Sequence, residues 1–198
     1  MLSVASKQGL LAAAGPDVLV VTTTEKVRKA FQGNAAGRDV VPDFTPDVSI
    51  PLGNSPLRHV VFSADGDFLV ISAEGQGGLA VFGANGLMRG NQKPEQEIPT
   101  DGIAVRTLVP CPGADYTHCM AIVLDSGKLC LVDVAQGQSR PFPVDGVTCV
   151  VWSTKGRAFA AGLRDGTVAI YKFEGNHLGN IPRPPGVDDN WEGTSLSI

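Results

Sequence analysis

Residues Val147 to Ile181 decide the fold, and they read VTCVVWSTKGRAFAAGLRDGTVAIYKFEGNHLGNI. Four short runs in this stretch are rich in apolar and β-branched residues: Val147–Trp152, Ala158–Ala161, Thr167–Tyr171 and Leu178–Ile181. Glycine and Asp-Gly signals between such runs predict tight hairpin turns. Four antiparallel strands in about 40 residues are typical of one β-propeller blade, which needs neighbouring blades to bury both of its faces.

The same pattern recurs along the whole chain. An apolar residue followed by proline occurs four times, at spacings of 48, 44 and 39 residues: Ile50-Pro51, Ile98-Pro99, Phe142-Pro143 and Ile181-Pro182. Proline cannot donate to a strand ladder, so it is confined to edge strands and strand ends. We therefore predict an all-β, WD40-like propeller of four-stranded antiparallel blades over residues 4–52, 57–99, 103–143 and 147–182.

The blade count predicts a partial ring. The first blade looks incomplete, and Thr194–Ile198 resembles the opening strand of a further blade. Closed propellers usually have about 4–8 blades, so we expect about four blades of a ring of seven. Open blade faces would make residues 1–198 alone poorly soluble or self-associating. Within the blades we expect Phe62 and Trp152 to be buried at equivalent positions, and no helix longer than about two turns, with one short helix over Glu25–Gln32.

Composition excludes several classes of protein. The chain has 198 residues, a net charge of −4 and 43% hydrophobic residues, which indicates a globular protein. Its lysines and arginines are scattered rather than clustered, so a direct nucleic-acid interface is not expected. No apolar run approaches the roughly 20 residues of a membrane-spanning helix. The four cysteines form no C-x-x-C pair, so we predict reduced, buried thiols and no metal site.

Two motifs imitate chemical sites. Gly75-x-Gly77-x-x-Ala80 resembles a dinucleotide fingerprint, but that motif requires a helix next, whereas the following residues predict a strand. His118-Cys119 suggests a nucleophile with its base, yet adjacent strand residues point to opposite faces and cannot form a dyad. The other histidines, His59 and His177, lie in different blades and have no carboxylate cluster nearby in sequence. We therefore predict no catalytic residue, no cofactor and no small-molecule substrate.

One charged turn is a candidate for binding another protein. Arg164 and Asp165 lie between the second and third strands of the last blade, inside a Gly-Leu-Arg-Asp-Gly run. A tight turn in which Asp165 bonds its own backbone explains these residues structurally. An exposed charged loop on the face used for partners explains them functionally. Successive hairpin turns alternate between the two faces, so Lys155 and Arg157 should lie opposite Arg164 and be solvated.

Several segments resemble one family. They are Val151-Trp152-Ser153-Thr154-Lys155-Gly156, Ala161-Gly162-Leu163-Arg164-Asp165-Gly166-Thr167, Ile181-Pro182-Arg183-Pro184-Pro185 and Gly9-Leu10-Leu11-Ala12-Ala13-Ala14-Gly15-Pro16-Asp17. The chain resembles, over essentially its whole length, the N-terminal β-propeller of the cytoplasmic-filament nucleoporin that carries Phe-Gly repeats downstream.

The resemblance implies a function for this domain. It implies a seven-bladed, non-enzymatic docking module at the cytoplasmic face of the nuclear pore complex, which recruits a DEAD-box RNA helicase for messenger RNA export. It also implies contacts with other nucleoporins through regions outside these residues, and no membrane insertion. The family's helicase contacts form no motif that maps onto this chain. The alternative is a generic WD40-like scaffold in another cytoplasmic complex; an enzyme is a distant third.

Overall fold

The computed structural model describes residues 1–32, 44–53, 55–183 and 185, and these residues form four antiparallel sheets of four consecutive strands each. Blade 1 has β1 Leu2–Ala5, β2 Leu10–Ala14, β3 Val18–Thr23 and β4 Val48–Pro51; blade 2 has β5 Leu57–Phe62, β6 Phe68–Ala73, β7 Leu79–Gly83 and β8 Gln96–Ile98; blade 3 has β9 Val105–Pro110, β10 Cys119–Leu124, β11 Leu129–Asp133 and β12 Gln138–Pro141; blade 4 has β13 Val147–Trp152, β14 Ala158–Leu163, β15 Val168–Lys172 and β16 His177–Ile181. The predicted propeller fold is confirmed.

Three hydrophobic cores hold the four blades together. One core lies between blades 1 and 2, a second between blades 2 and 3, and a third between blades 3 and 4. Each core is built from the facing sides of two neighbouring sheets, and because side chains alternate along a strand, a middle blade contributes one face to each of its two cores. The first strands of the blades, β1, β5, β9 and β13, are neighbours in that order. In the described part of the chain the blades therefore form an arc.

The predicted aromatic anchors are buried between blades. Phe62 is 4% exposed and Trp152 is 5% exposed. The Trp152 ring contacts Phe159 edge-on at a centroid distance of 5.2 Å, and Phe142 contacts Phe159 at 5.0 Å. The indole Nε1 of Trp152 donates a hydrogen bond of 3.2 Å to the carbonyl of Val109 in blade 3. Packing and one polar contact thus fix blade 4 on blade 3.

The apolar-proline repeat also lies where it was predicted. Ile98 and Ile181 are the last residues of the outermost strands of blades 2 and 4. Pro51 ends the outer strand of blade 1, and Phe142 follows the outer strand of blade 3 by one residue. Proline terminates each outer strand because it has no N–H to offer a further ladder bond.

The structure corrects three details of the sequence prediction. Blade 1 is complete: Leu2–Ala5 forms its first strand, which a four-residue run containing Ser3 did not reveal. The first helix, α1, spans Thr24–Gln32, and its nine residues exceed two turns by about half a turn. A second helix, α2, spans Ala84–Met88 and was not predicted; it forms because Leu87 enters the core between blades 1 and 2. The predicted strand at 194–198 lies outside the described residues.

Candidate protein-docking surface

One end of the arc combines two kinds of loop, the turn between the second and third strands of each blade and the connector from one blade to the next. Backbone hydrogen bonds tie each turn to the connector that precedes its blade. Glu74 N–H donates to the Pro56 carbonyl, Asp125 N–H to Ala104, and Arg164 N–H to Gly146, at 2.8, 2.9 and 2.9 Å. We call this end the turn-and-connector face. It carries the candidate residues of the sequence.

Arg164 and Asp165 are both exposed on this face. The carboxylate of Asp165 accepts the Thr167 N–H at 2.9 Å, which is the local turn bond predicted from sequence. Gly166 takes a positive φ of 83°, which closes the turn. Lys155 and Arg157 are exposed at the opposite end, beside the turn between β13 and β14. The structural interpretation of the turn is thus confirmed, while binding at Arg164 and Asp165 stays a prediction.

A β-bulge near the start of the first strand recurs in blades 2, 3 and 4. The strand register skips one residue in each, and the skipped residues are Arg58, Arg106 and Thr148. A bulge leaves one residue out of the ladder and re-aims its side chain. The three bulged side chains therefore have equivalent starting points at the turn-and-connector face.

In blade 3 the bulged arginines converge on one acid. Arg58 Nη1 lies 2.8 Å from the Asp125 carboxylate, across the boundary between blades 2 and 3. Arg106 contacts the same carboxylate at 3.4 Å and donates to the Asp125 carbonyl at 2.9 Å. The hydrogen bond from Arg58 is the main reason that the pKa of Asp125 lies below its ordinary value. We call Asp125 and these two arginines the blade-3 corner.

His59 reinforces the boundary between blades 2 and 3. Its Nδ1 lies 2.8 Å from the Ser72 hydroxyl, and its Nε2 lies 3.2 Å from the Arg106 carbonyl. Burial lowers the pKa of His59, so the neutral imidazole is favoured at neutral pH. The ring links a strand of its own blade to the first strand of the next. Its polar contacts are those of a structural histidine.

Blade 4 presents a different set of charges on the same frame. Arg164 occupies the place of Asp125, and the bulged residue of its blade is Thr148, whose hydroxyl donates to the Gly162 carbonyl at 3.1 Å. Asp145 lies on the connector next to Gly146 and is exposed. Among the described residues, Asp145, Arg164 and Asp165 form no ion pair with one another or with any neighbour. We call these three residues the blade-4 corner.

Sequence reasoning missed Asp145 and the whole blade-3 corner. The signal for Asp145 was present, because Ile98-Pro99-Thr100-Asp101-Gly102-Ile103 and Phe142-Pro143-Val144-Asp145-Gly146-Val147 repeat one pattern. The blade-3 corner gave no such signal, since its arginines and acid are 19 to 67 residues apart.

The opposite end of the arc holds the group of residues most like a metal site. One ligand atom each of Asp65, Asp67 and His118 lies within 4.8 Å of the others. Asp65 already bonds the Ser63 hydroxyl at 2.6 Å and His118 Nε2 at 2.6 Å, while Asp67 accepts the Gln8 amide at 2.9 Å. These bonds join turns of blades 1, 2 and 3. The group is accounted for as a contact between blades.

The remaining motifs that resemble chemical sites have structural roles. The glycine-rich run at residues 75–80 leads into strand β7 at Leu79, and Gly77 packs against the backbone of Gly102. Burial raises the pKa of the Cys119 thiol to about 11, so at neutral pH it is protonated and a poor nucleophile. All four cysteines are free thiols, as predicted. Cys111 and Cys149 are buried, whereas Cys119 and Cys130 are only half-buried, which differs from the prediction. Among the described residues, neither helix could cross a bilayer.

Comparison with known proteins gives one family over the whole chain. The family model described as the NUP159/214 β-propeller matches residues 1–198. The chain is 39% identical over 196 residues to nucleoporin NUP159 of Chaetomium thermophilum, covering 96% of this chain and 13% of that protein. It therefore spans about an eighth of the length of this relative.

Solved structures share the fold at low sequence identity. A chain of the S. cerevisiae complex of a Dbp5 variant bound to Nup159, a Gle1 variant, IP6 and ADP superposes with a TM-score of 0.70 at 14% identity. The crystal structure of the N-terminal domain of Nup159 superposes with a TM-score of 0.68 at 15% identity. Each match covers 93% of this chain and 44% of the solved chain.

Proposed function

The chain belongs to the NUP159/214 β-propeller family, and we propose that it is a non-enzymatic docking module of the nuclear pore complex that recruits a DEAD-box RNA helicase. Recruitment serves messenger RNA export at the cytoplasmic face of the pore. The match of the family model over residues 1–198 carries this proposal. A fungal nucleoporin as a relative, and a fold shared with a chain of a Dbp5-containing complex, support the kind of partner.

The geometry supports docking rather than catalysis. The groups most suited to chemistry, Asp65, His118 and Cys119, are engaged between blades or held protonated by burial. The exposed charges of the blade-4 corner form no ion pair within the described part of the chain, and they lie on loops fixed by backbone hydrogen bonds. Charged loops on a rigid scaffold are suited to recognising a protein partner. We therefore assign Arg164 and Asp165 to partner binding.

The test is capture of partners from cell extract on the immobilised full-length protein, followed by reconstitution with purified helicase. Recovery of the helicase together with pore proteins, and a direct complex with the purified helicase, are the expected results. Recovery of an unrelated assembly without pore proteins would favour a generic WD40-like scaffold instead. Failure of the purified helicase to bind would refute the proposed recruitment.

A further inference from the structure

We infer that Asp145-Gly146, on the connector between blades 3 and 4, is a site at which the folded protein forms isoaspartate, and that the product is a substrate for an isoaspartyl methyltransferase. This inference is independent of the proposed function, because it concerns the covalent chemistry of the chain itself. It follows from comparing the four Asp-Gly pairs of the sequence, which begin at Asp65, Asp101, Asp145 and Asp165.

Isoaspartate forms without an enzyme or an oxidant. The backbone nitrogen of the next residue attacks the side-chain carboxyl carbon of aspartate, a new C–N bond closes a five-membered succinimide ring, and the carboxyl OH leaves with the amide proton as water. Water then opens the ring at either carbonyl, which gives back aspartate or yields isoaspartate, whose backbone runs through the former side-chain carboxyl group. Glycine in the next position favours the attack because it has no Cβ to obstruct its nitrogen. The reaction therefore needs a free carboxyl group, a free amide N–H and a backbone that can bring the two together.

Turn hydrogen bonds hold two of the four pairs away from this reaction. The Asp65 carboxylate is hydrogen-bonded within its turn and to the next blade, and the N–H of the following glycine donates to the Ser63 carbonyl at 2.9 Å. The Asp165 carboxylate accepts a backbone N–H of its turn, and the N–H of the following glycine donates to the Leu163 carbonyl at 3.0 Å. Ring closure at either pair would first have to break both bonds.

Backbone conformation protects the third pair. Asp101 has a φ of 52° and is the one non-glycine residue with a positive φ among those that the structure describes. A left-handed backbone turns the next amide nitrogen away from Cβ, so the ring cannot close in this conformation. A hydrogen bond of 2.9 Å from the Ile103 N–H to the Thr100 carbonyl closes the turn, and Gly102 packs against Gly77. Asp101 would have to break these contacts to react.

The fourth pair lacks each of these restraints. Asp145 is exposed, and its carboxylate forms no hydrogen bond or ion pair with the described residues. The peptide group that joins it to Gly146 is bonded neither at its C=O nor at its N–H within the same part of the chain. Val147 N–H donates to the Gly127 carbonyl instead of closing a turn across Asp145. Because glycine accepts a wide range of φ, this peptide group can rotate and bring the Gly146 nitrogen to the carboxyl group.

The product changes the connector and creates the group that the methyltransferase recognises. Isoaspartate adds one methylene group to the backbone and leaves the α-carboxylate as a branch. Phe142 and Val147 are buried at the two ends of the connector, so the added length is displaced outward and exposes this branch. The carboxylate oxygen displaces the methyl group of S-adenosylmethionine from sulfur, which yields a methyl ester and S-adenosylhomocysteine. Attack by the Gly146 nitrogen then expels methanol and re-forms the succinimide, from which water regenerates aspartate.

Ageing of the full-length protein at neutral pH and physiological temperature tests the site. Isoaspartate in each peptide is measured with a protease that cleaves before aspartate but not before isoaspartate. The peptide with Asp145 should accumulate it at least about threefold faster than those with Asp65, Asp101 or Asp165, because reaction there must first open a hydrogen bond. Short peptides of the four sequences are the matched control and should react at similar rates without the fold. Isoaspartate from Asn85-Gly86, the single Asn-Gly pair, is recognised because deamidation also changes the peptide mass.

Methylation of the aged, still folded protein tests the substrate. A purified isoaspartyl methyltransferase with labelled S-adenosylmethionine should label the Asp145 peptide, which pepsin releases at acidic pH with the ester intact. Asp145→Glu keeps the charge but lengthens the side chain so that the five-membered ring cannot form; it should lose this label while its thermal unfolding is unchanged. Equal isoaspartate at all four pairs, more at another pair, or none at Asp145 once the peptides have reacted would overturn the site. Isoaspartate at Asp145 that stays unlabelled would overturn its role as a methyltransferase substrate.

Discussion

In blade 3 the turn after the second strand carries Asp125, which pairs with Arg58 and Arg106; in blade 4 the same position carries Arg164, which pairs with no described residue. The backbone frames are alike, and the corners differ in their side chains: arginine replaces aspartate in the turn, and threonine replaces arginine at the bulge. The charges of the blade-3 corner form ion pairs that join two blades, whereas those of the blade-4 corner are exposed on the surface. The repeat thus provides an internal comparison between a charge that is paired within the protein and an equivalent charge that is exposed.

The largest expected effect tests whether blade 4, which carries one of the two corners, is packed firmly against blade 3. Trp152→Ala should cost about 3–5 kcal/mol in the free energy of unfolding, because it removes a buried ring and its hydrogen bond to Val109. Chemical denaturation of the intact propeller measures this. Val151→Ala, on the other face of the same strand, is the control and should cost less than about 1.5 kcal/mol. A loss below about 1 kcal/mol for Trp152→Ala would mean that blade 4 is not packed as described.

A smaller effect is expected from opening the blade-3 corner. Asp125→Ala leaves Arg58 and Arg106 as like charges without their acid, and should cost about 1–2 kcal/mol, with solvent screening keeping the loss modest. Equilibrium unfolding in urea is the measurement. Ser126→Ala, at the exposed neighbouring position, should change stability little. Equal effects of the two changes would show that the corner does not join the blades.

At acidic pH, the stabilisation that the Asp125 ion pairs give the blade-3 corner should be lost. The pKa of Asp125 is lowered in the folded protein, mainly by Arg58, so its contribution is present above its unfolded pKa and is lost as the pH falls through the folded one. We expect the stability difference between the parent protein and Asp125→Asn to shrink as the pH is lowered below about 4. Unfolding measured at a series of pH values tests this. A difference that stays constant down to pH about 2 would contradict the ion-pair account.

The smallest expected effect compares the contributions of Arg58 and Arg164 to stability. Replacing each arginine by methionine keeps most of the side-chain volume and removes the charge. Arg58→Met should destabilise by about 0.5–1 kcal/mol, whereas Arg164→Met should stay within about 0.5 kcal/mol of the parent. Thermal unfolding of the two variants side by side is sufficient. Destabilisation by Arg164→Met equal to that by Arg58→Met would show that Arg164 has a structural role.

Much of the fold was predictable because its signals are local. The strands around Asp165-Gly166 and the proline after Ile98 follow from turn chemistry and strand ends, which act over a few residues. Strand Leu2–Ala5 was missed because its two outward residues, Leu2 and Val4, are largely exposed and its inward Ser3 is polar. Tertiary contacts, including a hydrogen bond from Phe62 N–H to the Ser3 hydroxyl, fix that strand instead.

The candidate site was predictable only in part. Arg164 and Asp165 were identified from an exposed turn, since the Asp-Gly signal places them at a hairpin. Their meaning depends on the equivalence with Asp125 and Ser126, which sequence spacing alone did not reveal. Arg58 reaches Asp125 across 67 positions of sequence because a bulge re-aims it, and periodicity carries no sign of a bulge at that residue.

The connectors between blades have a consequence for how the protein opens. Val147 N–H bonds the Gly127 carbonyl of the preceding blade, and one residue earlier the Gly146 carbonyl accepts the Arg164 N–H of the following blade. Because this connector is hydrogen-bonded to both blades, breaking its bond to one blade also exposes backbone amides of the next. Local opening should therefore spread from blade to blade in sequence order, and the amide protons of Val147 and Arg164 should exchange with solvent at similar rates. The surface that we assign to docking is thus also the place where local unfolding passes from one blade to the next.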